Sequence, residues 1–211
     1  MVRLPSFSKM NFPNLSRVAA TVGLVLVSGS PRRRQILAEA NIPFETVVPG
    51  ADEKVQPGLS PGDLVMDLAR QKVLMVGKMS HRAYLGCDTI VVLDGEILIK
   101  PRDEADAMRI LRKLSGRQHS VYSGLALYDG KNEVWHRAFE ESRVRFNHLD
   151  ERSLIDYVAS GEPLDKAGAY GIQGMGGFLV DSVEGNIDNV VGLPMHALER
   201  LAAQFWDRYA R

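Results

Sequence analysis

The sequence predicts an α/β fold in which a mixed β-sheet is flanked by helices. Two observations lead to this prediction. Segments with helical apolar spacing are interspersed with β-branched apolar segments, and the pairs Asp94-Gly95 and Asp129-Gly130 are typical of turns that join neighbouring strands. The 211 residues suffice for one domain with a buried core, which we expect to be two-lobed.

The first half of the chain begins with a β-branched run at residues 23–27 that predicts a buried strand. The turn Ser28-Gly29-Ser30-Pro31 follows, and Pro31 suits the first turn of a helix because its missing N–H leaves no helical bond unmade there. We predict further helices and strands from their apolar spacing: helices at 32–40, 60–78 and 103–114, and strands at 44–48, 84–93 and 96–99.

The second half is predicted to contain strands at 120–128, 134–146 and 178–183, and helices at 150–159 and 194–209. Residues 161–177 are unusual because six of these 17 residues are glycine. Glycine permits close backbone approach to a ligand, and Gln173 offers both a donor and an acceptor with which to read the edge of a base. A tight structural turn is the competing interpretation.

The N-terminal residues have a composition of their own, since residues 1–38 contain several arginines and no acidic residue. Such a bias is typical of targeting segments, but the apolar run at 18–27 is too short to span a bilayer. We assign residues 1–20 to a disordered leader and 21–211 to a single domain. We expect a cytoplasmic protein with no membrane partner, and organelle targeting by residues 1–20 is the alternative.

Composition excludes several classes of function. Lys plus Arg and Asp plus Glu number 26 each, so no net positive charge indicates a nucleic-acid partner. The single cysteine, Cys87, excludes an internal disulfide and a cysteine-rich zinc site. The five histidines form no zinc-binding spacing, and neither a Walker loop nor a G-x-S-x-G motif is present.

The segment from Ser28 to Arg33 joins a buried strand to a helix N-terminus, which favours an anion. Arg32 and Arg33 add forked donors that match phosphate oxygens. These features predict a phosphate-binding turn. The alternative is a solvated basic face with serine caps.

Asp88 interrupts a segment that otherwise resembles a core strand, and an unpaired buried carboxylate is costly. We therefore predict a carboxylate at a sheet end that binds a divalent metal or activates water. The alternative is a carboxylate paired with a nearby lysine. Lys72 and Lys100 are candidates to offset triphosphate charge, and Glu53 is a candidate oxygen ligand for the metal.

Together, several motifs in order along the chain resemble those of the Maf family: Ser28-Gly-Ser-Pro-Arg-Arg33, Cys87-Asp-Thr-Ile90, Lys100-Pro101, Ser115-Gly-Arg-Gln-His119, Gly161-Glu-Pro163, Lys166-Ala-Gly-Ala-Tyr-Gly-Ile-Gln173 and Asn189-Val-Val-Gly-Leu-Pro194. The resemblance implies a fold similar to that of inosine triphosphate pyrophosphatases. It also implies hydrolysis of a nucleoside triphosphate to the monophosphate and pyrophosphate, with Mg²⁺ or Mn²⁺, by a homodimer.

Carried over by residue, Asp88 matches the proposed general base and Glu53 matches another functional position. From their oxygen atoms we expect Glu53 and Asp88 to be the metal ligands. Arg32, Thr89 and Gln173 match positions associated with substrate choice. Substrate and phosphate binding are implied for Ser28, Arg32, Arg33, Lys72 and Lys100. The motifs resemble those of the branch that acts on dTTP and UTP. The alternatives are a non-catalytic nucleotide- or nucleic-acid-binding regulator of septum formation, and a pyrophosphatase for modified purine nucleotides such as 7-methyl-GTP.

Overall fold

The helices and strands follow the order that the sequence predicts, with two additional helices. The structure is a computed structural model that describes residues 7, 10–50, 54–77 and 81–210. Its helices are α1 (Pro13–Thr21), α2 (Pro31–Glu39), α3 (Pro61–Leu74), α4 (Glu104–Leu114), α5 (Glu151–Ala159), α6 (Ile187–Val191) and α7 (Met195–Tyr209). Its strands are β1 (Leu24–Val27), β2 (Glu45–Val47), β3 (Ala83–Leu93), β4 (Glu96–Leu98), β5 (Gln118–Asp129), β6 (Val134–Phe146) and β7 (Val180–Glu184).

Within the described ranges the strands form one mixed sheet in the order β2-β1-β3-β5-β6-β7, with β4 paired to β3. Strand β1 pairs in parallel with both β2 and β3, whereas the pairs β3–β4 and β6–β7 are antiparallel. The predicted turn between β3 and β4 is confirmed: Asp94 and Gly95 have φ of +49° and +82°, the geometry that a two-residue hairpin turn requires. The predicted mixed sheet is therefore confirmed.

The chain divides into two compact units. The Asp88 unit includes Ser6–Asp88, Ser123–Glu140 and Gly192–Arg211, and the Gln173 unit includes Thr89–Tyr122 and Glu141–Val191. In the Asp88 unit, all four residues of β1 are buried, and Val25 and Val27 form a core cluster with Val73 of α3 and Tyr84 of β3.

Side-chain caps explain where three helices begin. Ser60 accepts from the Asp63 N–H at 3.2 Å, Asp103 from the Asp106 N–H at 2.8 Å and Asp150 from the Ser153 N–H at 2.9 Å. Each cap satisfies an amide that the first turn of a helix leaves without a partner. The C-terminal end of α3 differs from the prediction, because the helix ends at Leu74 and Gly77 adopts a φ of +77°.

Helix α1 corrects the prediction that residues 1–20 form a disordered leader. Leu15, Val18 and Ala19 of α1 are buried, and the helix packs against α7. The Glu199 carboxylate of α7 accepts from the Asn14 and Leu15 N–H groups, each at 2.9 Å. The helix was missed because this stabilising partner lies about 185 positions away in the sequence. Residues 1–6, 8 and 9 lie outside the described residues.

Helix α6 was also missed, because its five residues are too few for a periodic pattern. In the described part of the chain, every helix is too short or too polar to cross a bilayer.

Candidate active site

Five of the predicted site residues belong to the Asp88 unit: Ser28, Arg32, Arg33, Lys72 and Asp88. Parallel strands β1 and β3 end their pairing at Val27 and Gly86, and Ser28 and Asp88 follow these two positions. The Lys72 ammonium of α3 donates to Oδ1 of Asp88, and only 12% of the Lys72 side chain and 18% of the Asp88 side chain are exposed. The structure therefore contains the lysine–carboxylate pair that was the alternative for Asp88.

The position of Asp88 differs in detail from the prediction. Asp88 lies inside β3, as in the predicted strand at 84–93, and not at a sheet end. However, β1 pairs only with Ala83–Gly86 and β4 only with Val91–Leu93, so neither of these strands pairs with residues 87–90.

Gly86, which was not predicted as a site residue, explains how Lys72 reaches Asp88. A Cβ atom at Gly86 would lie 2.0 Å from the Ala69 carbonyl oxygen and 2.8 Å from Cγ2 of Val73. Helix α3 therefore packs with its backbone directly against β3 at this point. Because Lys72 is on the same turn of α3, this close approach brings its ammonium to the carboxylate two residues beyond Gly86. An isolated glycine inside a predicted strand is the sequence signal that indicates such an approach.

Arg33 is buried and its guanidinium bonds to backbone carbonyls. Nε donates to the Gly192 oxygen at 2.8 Å, and Nη1 donates to the Cys87 oxygen at 2.6 Å. Nη1 also lies 3.3 Å from Oγ of Ser28. Arg33 thereby ties the start of α2 to the residue that precedes Asp88. Its predicted role in phosphate binding stays a prediction.

We expect Arg33→Lys to lower the free energy of unfolding by about 2 kcal/mol, because one ammonium cannot reproduce the two diverging guanidinium bonds to buried carbonyls. Urea denaturation measures this change. The matched control is Arg34→Lys, whose guanidinium makes one exposed 3.3 Å bond to Gly29 and should lose no more than about 0.5 kcal/mol. Equal stability of the two variants would contradict the structural role of Arg33.

The remaining predicted residues of the turn differ in exposure. Ser28 is buried, and its Oγ accepts from the Ser30 N–H at 3.1 Å. Arg32 is half-buried in the first turn of α2. Ser30 occupies the N-cap position of α2 without a side-chain cap hydrogen bond, and the helix dipole favours an anion at this end. Arg32 is therefore the arginine of the turn that retains access to solvent.

Cys87 is a structural residue. Its thiol is buried and donates to the Gly192 oxygen at 3.1 Å. Burial raises the pKa of this thiol, which keeps it protonated and unreactive.

The Gln173 unit contains the other predicted residues. Thr89 and Gln173 are half-buried, and Lys100 is exposed. The N–H of Gly168 donates to the carbonyl of Ile99 at 3.3 Å, so the glycine-rich segment is bonded to the residue that precedes Lys100. Gln173 has an extended backbone (φ −89°, ψ 153°), and its side chain does not cap the 3₁₀ turn that follows.

The metal prediction depends partly on Glu53, which lies outside the described residues. Among residues 7, 10–50, 54–77 and 81–210, no group of three or more His, Cys, Asp or Glu side chains has the geometry to hold a metal ion.

Comparison with known proteins identifies the family to which this chain belongs. A family profile described as "Maf-like protein" matches residues 23–205, which is most of the chain. The chain belongs to the Maf family. The match begins after α1 and includes the Asp88 site and the glycine-rich segment.

Curated relatives of this Maf protein have similar lengths. A protein of Bacillus mycoides named dTTP/UTP pyrophosphatase is 46% identical over 183 residues, covering 86% of this chain and 95% of that protein. A protein of Geotalea uraniireducens with the same name is 45% identical over 189 residues, covering 87% of this chain and 97% of that protein. A solved structure of a HAM1 protein from Coxiella burnetii has a TM-score of 0.50 at 13% identity and covers 86% of this chain and 98% of that one, which supports the fold.

His119 in the Gln173 unit of this Maf protein is buried against two aromatic rings. Its Nε2 lies 2.8 Å from the Tyr170 hydroxyl, and its ring packs edge-on against Phe146. Its Nδ1 is buried without a hydrogen-bond partner among the described residues. Burial lowers the pKa of His119 to about 4, so the imidazole is neutral in the folded protein near neutral pH.

We expect the protein to lose roughly 3 kcal/mol of unfolding free energy through His119 as the pH falls from 6.5 to 4. In this window the unfolded chain binds a proton that the folded chain does not, so acid favours unfolding. Well above pH 6.5 the imidazole is neutral in the unfolded chain as well, so His119 adds no further pH dependence to the free energy of unfolding. Urea denaturation at several pH values measures the slope. His119→Gln should remove this part of the pH dependence, and an unchanged slope would contradict the assignment.

Proposed function

We propose that this Maf protein hydrolyses dTTP and UTP to the nucleoside monophosphate and pyrophosphate. The observation that supports this most directly is the Lys72–Asp88 pair, in which one oxygen of a largely buried carboxylate is held in place. The pair belongs to the same unit as the arginine-bearing start of α2. Such a unit suits a reaction in which an anion is bound and water is activated. The two relatives named dTTP/UTP pyrophosphatase support the choice of nucleotides.

In the proposed reaction, Arg32 and the N-terminal end of α2 bind phosphate oxygens. Lys72 holds one oxygen of Asp88, and the other oxygen accepts a proton from a water molecule. This water attacks the α-phosphorus, and the bond between that phosphorus and the oxygen that bridges to the β-phosphorus breaks. Pyrophosphate leaves with the bridging oxygen, so no covalent intermediate is required. Contributions of Ser28, Arg33 and Lys100 to phosphate binding, and of Thr89 and Gln173 to substrate choice, stay predictions.

The residues of the Asp88 unit fit a divalent cation such as Mg²⁺ or Mn²⁺ that is shared with the substrate. A carboxylate oxygen is a suitable ligand, and Mg²⁺ is commonly bound by one or two carboxylates together with substrate phosphates. Asp88 would provide one carboxylate, and Glu53 is the predicted second. When bound, such an ion neutralises charge on the phosphates.

The experiment is to measure pyrophosphate release from a panel of dTTP, UTP, CTP, ATP and 7-methyl-GTP during titration with Mg²⁺ and with Mn²⁺. We expect metal-dependent release from dTTP and UTP at the highest rates. Preference for 7-methyl-GTP would instead favour the modified-purine alternative. Tight binding of dTTP with no product at any metal concentration would favour the non-catalytic regulator and overturn the proposal.

We also propose a homodimer, which the family resemblance implies, and a cytoplasmic location. Gel filtration with light scattering tests the dimer, because a monomeric mass at all protein concentrations would contradict it.

A further inference from the structure

Two side chains, Tyr157 from outside the glycine-rich segment and Glu162 from near its start, bond to the backbone of the segment on either side of Gln173. The Tyr157 hydroxyl of α5 accepts from the Gly171 N–H at 3.3 Å and donates to Oε1 of Glu162 at 3.1 Å. The Glu162 carboxylate accepts from the Met175 N–H at 2.9 Å and from the Gly176 N–H at 3.2 Å. All of these residues belong to the Gln173 unit.

The glycines of the segment allow this close contact. A Cβ atom at Gly176 would lie 2.4 Å from the Gly171 oxygen and 2.6 Å from the Tyr157 hydroxyl oxygen. Gly174 has a φ of +76°, a conformation that residues with side chains rarely adopt. The chain therefore turns tightly around the Tyr157–Glu162 pair, and Gln173 is the residue between the two bonded ends of the turn.

The pair is suited to hold a fixed geometry. Tyr157 is 1% exposed, and burial raises the pKa of its hydroxyl, which therefore stays a donor to Glu162 at neutral pH. Hydrogen bonds to a charged carboxylate are stronger than those between neutral groups. The hydrogen bonds at Gly171, Met175 and Gly176 therefore restrain the backbone on both sides of Gln173. The Gln173 side chain caps no helix.

We propose that Tyr157 and Glu162 are positioning residues that fix the backbone from which the Gln173 side chain extends and thereby determine base selectivity. This inference rests on the proposed function, in which Gln173 recognises the base. Uracil and cytosine differ at C4, where one has a carbonyl acceptor and the other an amino donor. A side-chain amide that extends from a fixed backbone has fewer positions in which to pair with both edges than one that extends from a mobile backbone.

The test compares Glu162→Gln and Tyr157→Phe with the control Glu184→Gln, an exposed carboxylate on β7 of the same unit. Values of kcat and KM are measured for UTP and CTP. We expect the ratio of kcat/KM for UTP over CTP to fall about tenfold in each test variant, mainly through KM, because small displacements of a positioned group cost large factors. The control should keep the wild-type ratio. Hydrogen exchange at the amides of Met175 and Gly176 should accelerate in Glu162→Gln.

The double variant separates positioning from a general loss of stability. If Tyr157 and Glu162 act as one unit, combining the two changes should lower the ratio no further than either single change. Faster amide exchange with an unchanged UTP over CTP ratio would overturn the inference and leave the proposed function intact. If the wild-type protein releases no pyrophosphate, the proposed function fails. The positioning role is then tested by the ratio of the UTP and CTP dissociation constants in Glu162→Gln, Tyr157→Phe and the control Glu184→Gln.

Discussion

Asp88→Asn should reduce turnover of dTTP about 10²- to 10⁴-fold, which is the usual contribution of a general base. Asparagine has nearly the same shape, and its amide oxygen still accepts from the Lys72 ammonium, so the packing around β3 is retained. It cannot accept a proton from water, however, and it removes the charge that would attract a cation. We therefore expect a large fall in kcat with a much smaller change in fold. Steady-state pyrophosphate release and circular dichroism measure the two effects.

The control for this variant is Asp207→Asn, which removes an exposed carboxylate of α7 in the same unit and should leave turnover unchanged. Asp88→Glu provides a second check because it keeps the charge and moves the carboxylate by one methylene. A large loss of kcat in Asp88→Glu as well would indicate that position matters in addition to charge. Near wild-type turnover in Asp88→Asn would remove Asp88 from its proposed role.

Gly86→Ala should lower the free energy of unfolding by about 3 kcal/mol, because the added methyl group overlaps backbone atoms rather than a flexible side chain. The nearest atom, the Ala69 carbonyl oxygen, would be 2.0 Å away, so α3 must move from β3. That movement also takes Lys72 away from Asp88, and activity should fall with stability. A stability change of this size corresponds to a melting temperature lower by roughly 6–12 °C for a chain of this length.

Gly50→Ala is the matched control, because among the described residues no atom beyond its chain neighbours lies within 4 Å of its added Cβ, and its φ is not positive. Its stability should change by no more than about 0.5 kcal/mol. Wild-type stability in Gly86→Ala would contradict the close packing of α3 on β3, and with it the explanation of how Lys72 reaches Asp88.

Local signals were sufficient to predict most of the fold. The Asp94-Gly95 pair predicted the β3–β4 hairpin, and the polar residues Ser60, Asp103 and Asp150 are the caps at which three predicted helices begin. Helix α1 was missed for the opposite reason. Its first turn is capped by Glu199 and its apolar face is covered by α7, so its stability depends on residues at the other end of the chain.

The sequence predicted which residues are candidates for the site, but not the groups that their side chains contact. Lys72 was predicted from its charge to offset a triphosphate, whereas its contact with Asp88 depends on the absence of a side chain at Gly86. Arg33 was predicted from its charge to bind phosphate, and the structure shows its guanidinium bonded to the carbonyls of Cys87 and Gly192. Such bonds depend on three-dimensional packing and leave no pattern in the sequence.

The most direct test of the proposed reaction is hydrolysis of dTTP in water enriched in ¹⁸O, with mass analysis of both products. Attack of water on the α-phosphorus places one ¹⁸O atom in the nucleoside monophosphate and none in pyrophosphate. Label in pyrophosphate would mean attack on the β-phosphorus, and formation of labelled orthophosphate with a nucleoside diphosphate would mean attack on the γ-phosphorus. Either result would contradict the account.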